Sequence, residues 1–359
     1  MLPRKLYFVF LLLLLLAHPV LASKPDYIKV YHPVVHEAEM LVLSKDYKAA
    51  LNKYRQAFDA VNEPFARDYY NAAVCAVLAE DQKQTLDLLE KLVLKGVELP
   101  YLEKQEVFKG LHETKAWKKF VKHYPKNRKK FSHRADLDLR ADLDELYARD
   151  RYFRFAEGGL RVYADTLRKI ENENVDILLR TIVKRGYPGE RLIGVGDTIE
   201  QLPRFSIVIE RQTKAKKGFD FAPILQEAVQ QGNLLPQAAA YLMEAQQGQR
   251  NYRTIALVKV SCTNRKDCEG NKKLKLLNKY LVEKVSNKEE ANINARRTAL
   301  GLEPLADYRK KVLYSLQDNR FKFANTWSVK HYVVPSRDAA EVLTEGHEIA
   351  DTALFAEEL

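Results

Sequence analysis

The sequence predicts a mostly α-helical protein: a short stack of helical hairpins followed by a helical domain with a small antiparallel β element. Three observations carry this. Apolar residues recur at helical spacing, most plainly Val175, Leu178, Leu179, Ile182 and Val183 at i, i+3, i+4, i+7 and i+8. Small residues and tyrosines recur over two successive units with a period of about 35 residues. At Thr254–Cys262 the pattern changes to a run rich in β-branched residues, the mark of a strand.

Residues 1–22 read as a secretory signal peptide. Arg4 and Lys5 give a basic start, Tyr7–Ala17 is apolar, and Val20-Leu21-Ala22 offers a cleavage site, so the mature chain is expected to begin near Ser23. An uncleaved anchor is the alternative, but the apolar run is short for a span of about 20 residues. No stable membrane span is therefore expected after cleavage. No cysteine follows the run, which argues against a lipid anchor. The expected location is the periplasm or the cell exterior.

Residues 23–124 form the hairpin stack. Ala38 and Leu41 suit a first helix, and Tyr47, Ala50, Tyr54 and Ala57 suit a second that packs closely against it. After Pro64, Ala72, Ala73 and Ala76 supply the small positions of the next unit, and Thr85, Leu89 and Leu92 its second helix. A weaker third unit runs through Phe108, Leu111, Trp117 and Phe120. These residues resemble tetratricopeptide repeats. The resemblance implies a groove that binds a protein or peptide partner, and a stack so short that it leans on the next domain.

Residues 125–136 read as a basic linker. The stretch Lys115–Arg134 holds nine Lys and Arg residues and no acid, interleaved with Trp117, Phe120, Tyr124 and Phe131. A solvated linker, a contact with an anionic surface and nucleic-acid binding all fit that composition. The aromatics are better explained as the buried side of a closing helix, and an exported protein rarely meets nucleic acid, so no nucleic-acid partner is expected. The net charge of +11 suits an acidic partner or simple solubility.

Residues 137–335 form the second domain. Helices are expected over Leu137–Phe155, with Leu143, Leu146 and Tyr147 inward, over Leu160–Ile170, and over Val175–Arg185. The last is capped by Asn172 or Asn174 and closed by Gly186 and Pro188. Asp197 can cap the next segment, and Pro203 opens a helix carrying Ile207, Val208 and Ile209. Phe221–Gln231 and Pro236–Gln247 follow, closed by Gly232 and Gly248. Thr254–Cys262 is a strand with Lys273–Tyr280 as its hairpin partner, and Trp327–Val334 is another. Residues 336–359 are an acidic tail that ends in a short helix or frays. In an oxidising compartment Cys262 and Cys268 suit a loop-closing disulfide, while Cys75 in an Ala-rich helix stays free.

Several motifs here resemble a bacterial domain family of unknown function found on exported proteins. They are NINARRTALGLEPLADY (Asn292–Tyr308), KRGYPGERLIG (Lys184–Gly194), AAYLMEAQQGQRNYRT (Ala239–Thr254), and the pair Asp150 and Arg154. Glu210-Arg211 stands where the family carries Gln-His, Asp150-Arg151 replaces Asp-Gln, and the family's Asp-Arg pair is reduced to Glu244. Any acid–base or metal role of that His is lost here. The resemblance implies a charged site built from Asp150, Arg154, Glu210, Arg211, Glu244 and Arg297. A structural salt-bridge network, a ligand cleft and catalysis are its three readings, and Arg297 is expected to face Glu210 or Asp150.

No other pattern points to chemistry. Gly186, Gly189, Gly194 and Gly196 lack the lysine of a phosphate loop, Val195 standing in its place. His32 and His36 lie one turn apart without further ligands, so neither a metal nor a cofactor is expected. No Gly-x-Ser-x-Gly elbow is present. The expected function is a non-catalytic interaction or scaffold protein of the bacterial envelope. The alternative is a hydrolase or a small-ligand binder with its site in residues 137–308. Oligomeric state is not legible.

Overall fold

The computed structural model describes residues 25–196, 198–268 and 275–350. The signal peptide, the Asp197 cap and the end of the acidic tail lie outside the described residues. The side chains of Arg265 and Lys266 are likewise outside them.

Helix α1 (Tyr27–Val30) leads into two hairpins, α2 (His32–Leu43) with α3 (Tyr47–Asp59) and α4 (Ala66–Leu78) with α5 (Gln82–Leu94). Both second helices are capped by aspartate: Asp46 accepts from the Ala49 amide at 3.0 Å and Asp81 from the Gln84 amide at 2.9 Å. Ala38, Ala50, Ala57, Ala72, Ala73 and Ala76 are fully buried where the helices meet, and Tyr54 and Tyr70 fill the space around them. Short α6 (Leu99–Glu103) and a 3-10 turn at Glu106–Leu111 lead to α7 (Lys115–Arg134).

The expected basic linker is thus corrected: its basic stretch is one helix of 20 residues. Thr114 caps it, accepting from the Trp117 amide at 3.1 Å. Trp117, Phe120 and Phe131 are buried along its inner side, so packing on α5 outweighs the mutual repulsion of its cations.

The second helical layer comprises α8 (Leu137–Phe155), α9 (Gly159–Arg185), α10 (Glu190–Ile193), α11 (Ser206–Arg211), α12 (Ala222–Gln230) and α13 (Pro236–Gln247). Leu143, Leu146, Leu178, Phe205, Ile209, Phe221, Leu225 and Leu242 form its core. The two helices expected over 160–185 are one. Non-helical backbone occurs only near its start, at Tyr163. Asn174 caps nothing: it is buried and donates sideways to the Leu146 carbonyl of α8 at 3.0 Å. The closing Gly186 has φ 81°, a conformation that costs glycine little. The helix expected at Pro203 starts three residues later, with the Ser206 amide donating to the Pro203 carbonyl.

The last third builds a four-stranded sheet from β1 (Leu257–Cys262), β2 (Tyr280–Glu283), β3 (Val329–Val334) and β4 (His347–Ile349), in the order β3-β1-β2-β4. Short α14 (Arg265–Cys268) follows β1, α15 (Asn287–Ala299) and α16 (Leu305–Gln317) lie between β2 and β3, and α17 (Arg337–Thr344) precedes β4. The sheet is mixed, which corrects the antiparallel expectation. β1 runs antiparallel to β2 (Val258 opposite Leu281) and parallel to β3 (Val260 opposite Tyr332). The long helical connection through α15 and α16 is what allows a parallel neighbour. The expected tail is also structured: α17 covers one side of the sheet and β4 pairs with β2. Leu257 packs with Ile293, Leu305, Tyr308 and Val312 on one face, and Val258 and Val260 with Val334 and Ala340 on the other. Cys262 and Cys268 are disulfide-bonded, with Cα atoms 6.5 Å apart, and Cys75 is a buried free thiol.

The hairpins are not an independent stack. Helix α16 lies on α2, and Tyr314, Phe321 and Phe323 belong to the hairpin core. Phe321 stacks on Tyr47 at 6.0 Å. Asn71 of α4 clamps the Lys322 backbone, accepting from its amide at 2.8 Å and donating to its carbonyl at 3.4 Å. The face made by the first helices of the two hairpins is therefore occupied by the chain's own residues.

Candidate functional sites

The six predicted site residues do not converge. Asp150 and Arg154, one turn apart on α8, meet each other and Arg211. The Arg154 Nε donates to both Asp150 oxygens at 2.9 and 3.0 Å, its Nη2 binds Glu171, and Arg211 approaches Asp150 at 3.5 Å. Burial, opposed by Arg211, holds the neighbouring Glu210 carboxyl above its usual range. Glu244 sits elsewhere, accepting from the Tyr252 amide at 2.6 Å and from the amide and hydroxyl of Thr254. It ties the end of α13 to the approach to β1.

Arg297 is buried, and the expected pairing with Glu210 or Asp150 is not made. Its Nε donates to the Glu303 carbonyl at 2.6 Å, its Nη1 to the Tyr252 carbonyl at 2.7 Å, and its Nη2 lies 3.8 Å from the Glu303 carboxylate. The guanidinium stacks over the Tyr308 ring at 4.8 Å. Glu303, in the α15–α16 connection, is only 6 positions along the chain, so both its carbonyl and its carboxylate lie within reach of the guanidinium.

The structure instead assembles a buried charge network that the sequence reading missed. It closes the seam between α2, α4 and α16. Lys311 binds Glu39 and lies 3.4 Å from Glu303. Arg67 lies 3.8 Å from Glu39 and 3.6 Å from Asp68. Tyr31 donates to Asp68 at 2.7 Å and accepts from the Phe65 amide. Burial would neutralise Glu303, but Lys311 and Arg297 outweigh it and hold its pKa at about 2. Burial pushes Asp68 up to about 6 against the pull of Arg67, and pushes His32 down to about 3, with Arg67 adding to the effect. His32 stacks on Phe65 at 6.0 Å, and His36 lies 3.4 Å from Asp307. Both histidines serve packing at this seam. Among the described residues no three His, Cys, Asp or Glu side chains are grouped to hold a metal. The missed signal was present: Val35, Ala38, Glu39 and Val42 share one helical face, so Glu39 is an acid on an apolar stripe.

Two open clefts have linings of the residue types that bind ligands or partners. One, of about 610 Å³, lies on the hairpins between α3, α4 and α5. Phe58 and Tyr69, 4.7 Å apart, form its floor with Leu88, and Arg55, Lys83, Asp59 and Asp87 its rim. Aromatic anchors within a polar, mixed-charge rim are the composition of protein-binding surfaces. The other, of about 710 Å³, lies between α9 and the segment after α11. Arg168, Arg211, Lys216 and Lys217 line it with Glu171, beside the Asp150–Arg154 pair.

Comparison with family models, with curated proteins and with solved structures finds no match to this chain. The two resemblances therefore rest on their motifs alone.

Proposed function

We propose that this is an exported, non-catalytic interaction or scaffold protein of the bacterial envelope, which binds a protein or peptide through its helical hairpins at the Phe58–Tyr69 cleft. The carrying observation is the division of labour between the two sides of the hairpins. Their first-helix face is filled by α16 and Phe321, whereas the Phe58–Tyr69 side presents aromatic anchors in an open, charged rim. The Cys262–Cys268 disulfide supports an oxidising compartment. N-terminal sequencing of envelope-fraction protein should read from near Ser23; an intact Met1 end held in the membrane would overturn export. Reversing the rim with Arg55→Glu and Lys83→Glu should abolish crosslinking to the partner in the envelope while leaving the circular dichroism spectrum unchanged. Undiminished crosslinking at those positions sinks the cleft.

A small-ligand reading has its own support. Arg211 reaches Asp150 only at 3.5 Å, and its Nε has no hydrogen-bond partner among the described residues, at the edge of a cleft with three further cations. A small carboxylate or phosphate compound is the ligand that such a cleft favours. Saturable binding of one such compound, lost in Arg211→Ala, would move this reading ahead of the first.

A further inference from the structure

The inner side of α7 is accounted for by packing; its outer side is not. Lys115, Lys118, Lys119, Lys122, Lys126, Lys129 and Lys130 are all exposed. At 3.6 residues per turn they fall within about a third of the helix circumference, opposite Trp117, Phe120 and Phe131. The stripe follows a helix about 30 Å long. Neighbours at i+3 and i+4 along it carry like charges, which works against the helix, and no acid within α7 relieves them. The nearest relief is Glu113, 3.4 Å from Lys118, with both side chains exposed. The nine cations of this helix account for most of the net charge of +11, so the excess charge of the molecule is concentrated here.

We propose that the outer face of α7 docks the protein onto an anionic phospholipid surface. A row of lysines on one side of a helix can meet a plane at several points at once, with Pro125 lying between Lys122 and Lys126. Lysine is a compact point charge on a flexible stem and suits a diffuse layer of headgroup phosphates. Single-stranded nucleic acid would call for exposed aromatics on which bases stack, and the ring systems of α7 at Trp117, Phe120 and Phe131 are buried. The contact is peripheral and electrostatic, since no described helix is long and apolar enough to cross a membrane. It is independent of the hairpin cleft.

The test is sedimentation of the purified mature protein with vesicles. Binding is expected to vesicles containing phosphatidylglycerol and not to pure phosphatidylcholine vesicles. It should be released on raising salt from about 0.1 M to about 1 M, which shortens the screening length from about 10 Å to about 3 Å. The triple variant Lys122→Glu, Lys126→Glu, Lys129→Glu should bind at least about tenfold more weakly. These side chains point into water, so its circular dichroism spectrum and melting temperature check that it folds. Lys48→Glu, Lys288→Glu, Lys330→Glu makes the same change in net charge elsewhere and should bind like the parent. Absence of binding to the anionic vesicles overturns the proposal, as does equal weakening in both triple variants. Tighter binding of duplex DNA than of vesicles through the same lysines would assign the face to nucleic acid instead.

Discussion

The charges at the α2–α4–α16 seam and those where α8 meets α9 and α11 are the same residue types in different amounts of water. At the seam, the side chains of Glu39, Glu303, Lys311 and Arg297 are 4 % exposed or less. At the other cluster Asp150 is as buried, but Arg211 is 34 % and Lys216 54 % exposed. Charges of the first kind are bound to one another, because an unpaired buried ion is costly. They weld the hairpins to the sheet domain. Those of the second kind can exchange a protein partner for water or a ligand at small cost. Density of charge in a sequence therefore says little about a site until burial is known.

The largest expected effect tests the weld. Lys311→Ala removes the cation between Glu39 and Glu303, leaving each of these buried carboxylates only an arginine contact at 3.8 Å, and should cost about 3–5 kcal/mol in urea unfolding. A loss below about 1 kcal/mol would place the seam with the exposed cluster and break the contrast. Joint replacement by Glu39→Gln and Lys311→Met should cost less than the single change, because it removes one of the stranded charges.

Acid should loosen the same seam. The folded pKa of Glu303, about 2, lies below its ordinary 4.5. Its contribution is thus fully present above about 4.5 and is lost as pH falls through about 2. The difference corresponds to about 3 kcal/mol. Asp68 acts in the opposite sense: with a folded pKa of about 6 against 3.8, it makes stability fall as pH rises through that window. Urea midpoints between pH 2 and pH 5 should rise with pH in the parent and rise less in Glu303→Gln. Parallel curves would contradict an ionised Glu303.

At the second cluster, Arg154→Ala should cost about 2 kcal/mol, since it leaves buried Asp150 only the 3.5 Å contact with partly exposed Arg211, whereas Arg211→Ala should cost less than about 1 kcal/mol. Equal costs would mean that Asp150 holds Arg211 no less firmly than Arg154, leaving it no freedom to take a ligand. The smallest effect is on the lysine stripe. Lys126→Glu relieves like-charge neighbours at Lys122, Lys129 and Lys130 and should raise stability by a few tenths of a kcal/mol in low salt. A clear loss there would mean that the outer side of α7 packs against something.

Most of the fold was legible, because helix boundaries depend on neighbours in the chain. Gly248 closes α13 at the expected place, Gly186 closes α9, and the switch to β-branched residues marks β1. Where two local signals competed, the sequence reading failed. Asn174 looks like a cap, but an amide that can reach the Leu146 carbonyl is better used inside the protein. The lysines of α7 look like a linker until the aromatic side is matched to α5.

By itself the sequence determined the helical class, the alanine-lined hairpins, the disulfide pair and the place of the excess positive charge, since periodicity, small-residue spacing, short Cys separation and composition are local properties. Only the tertiary structure decided which charges meet. Glu39 and Lys311 are 272 positions apart, and nothing in either neighbourhood names the other. The parallel β1–β3 pairing, the filling of the first-helix face by Phe321, and the separation of Arg297 from Asp150 are of the same kind. Each follows from burying apolar surface between distant segments, after which every buried charge must take the nearest partner that the packing supplies.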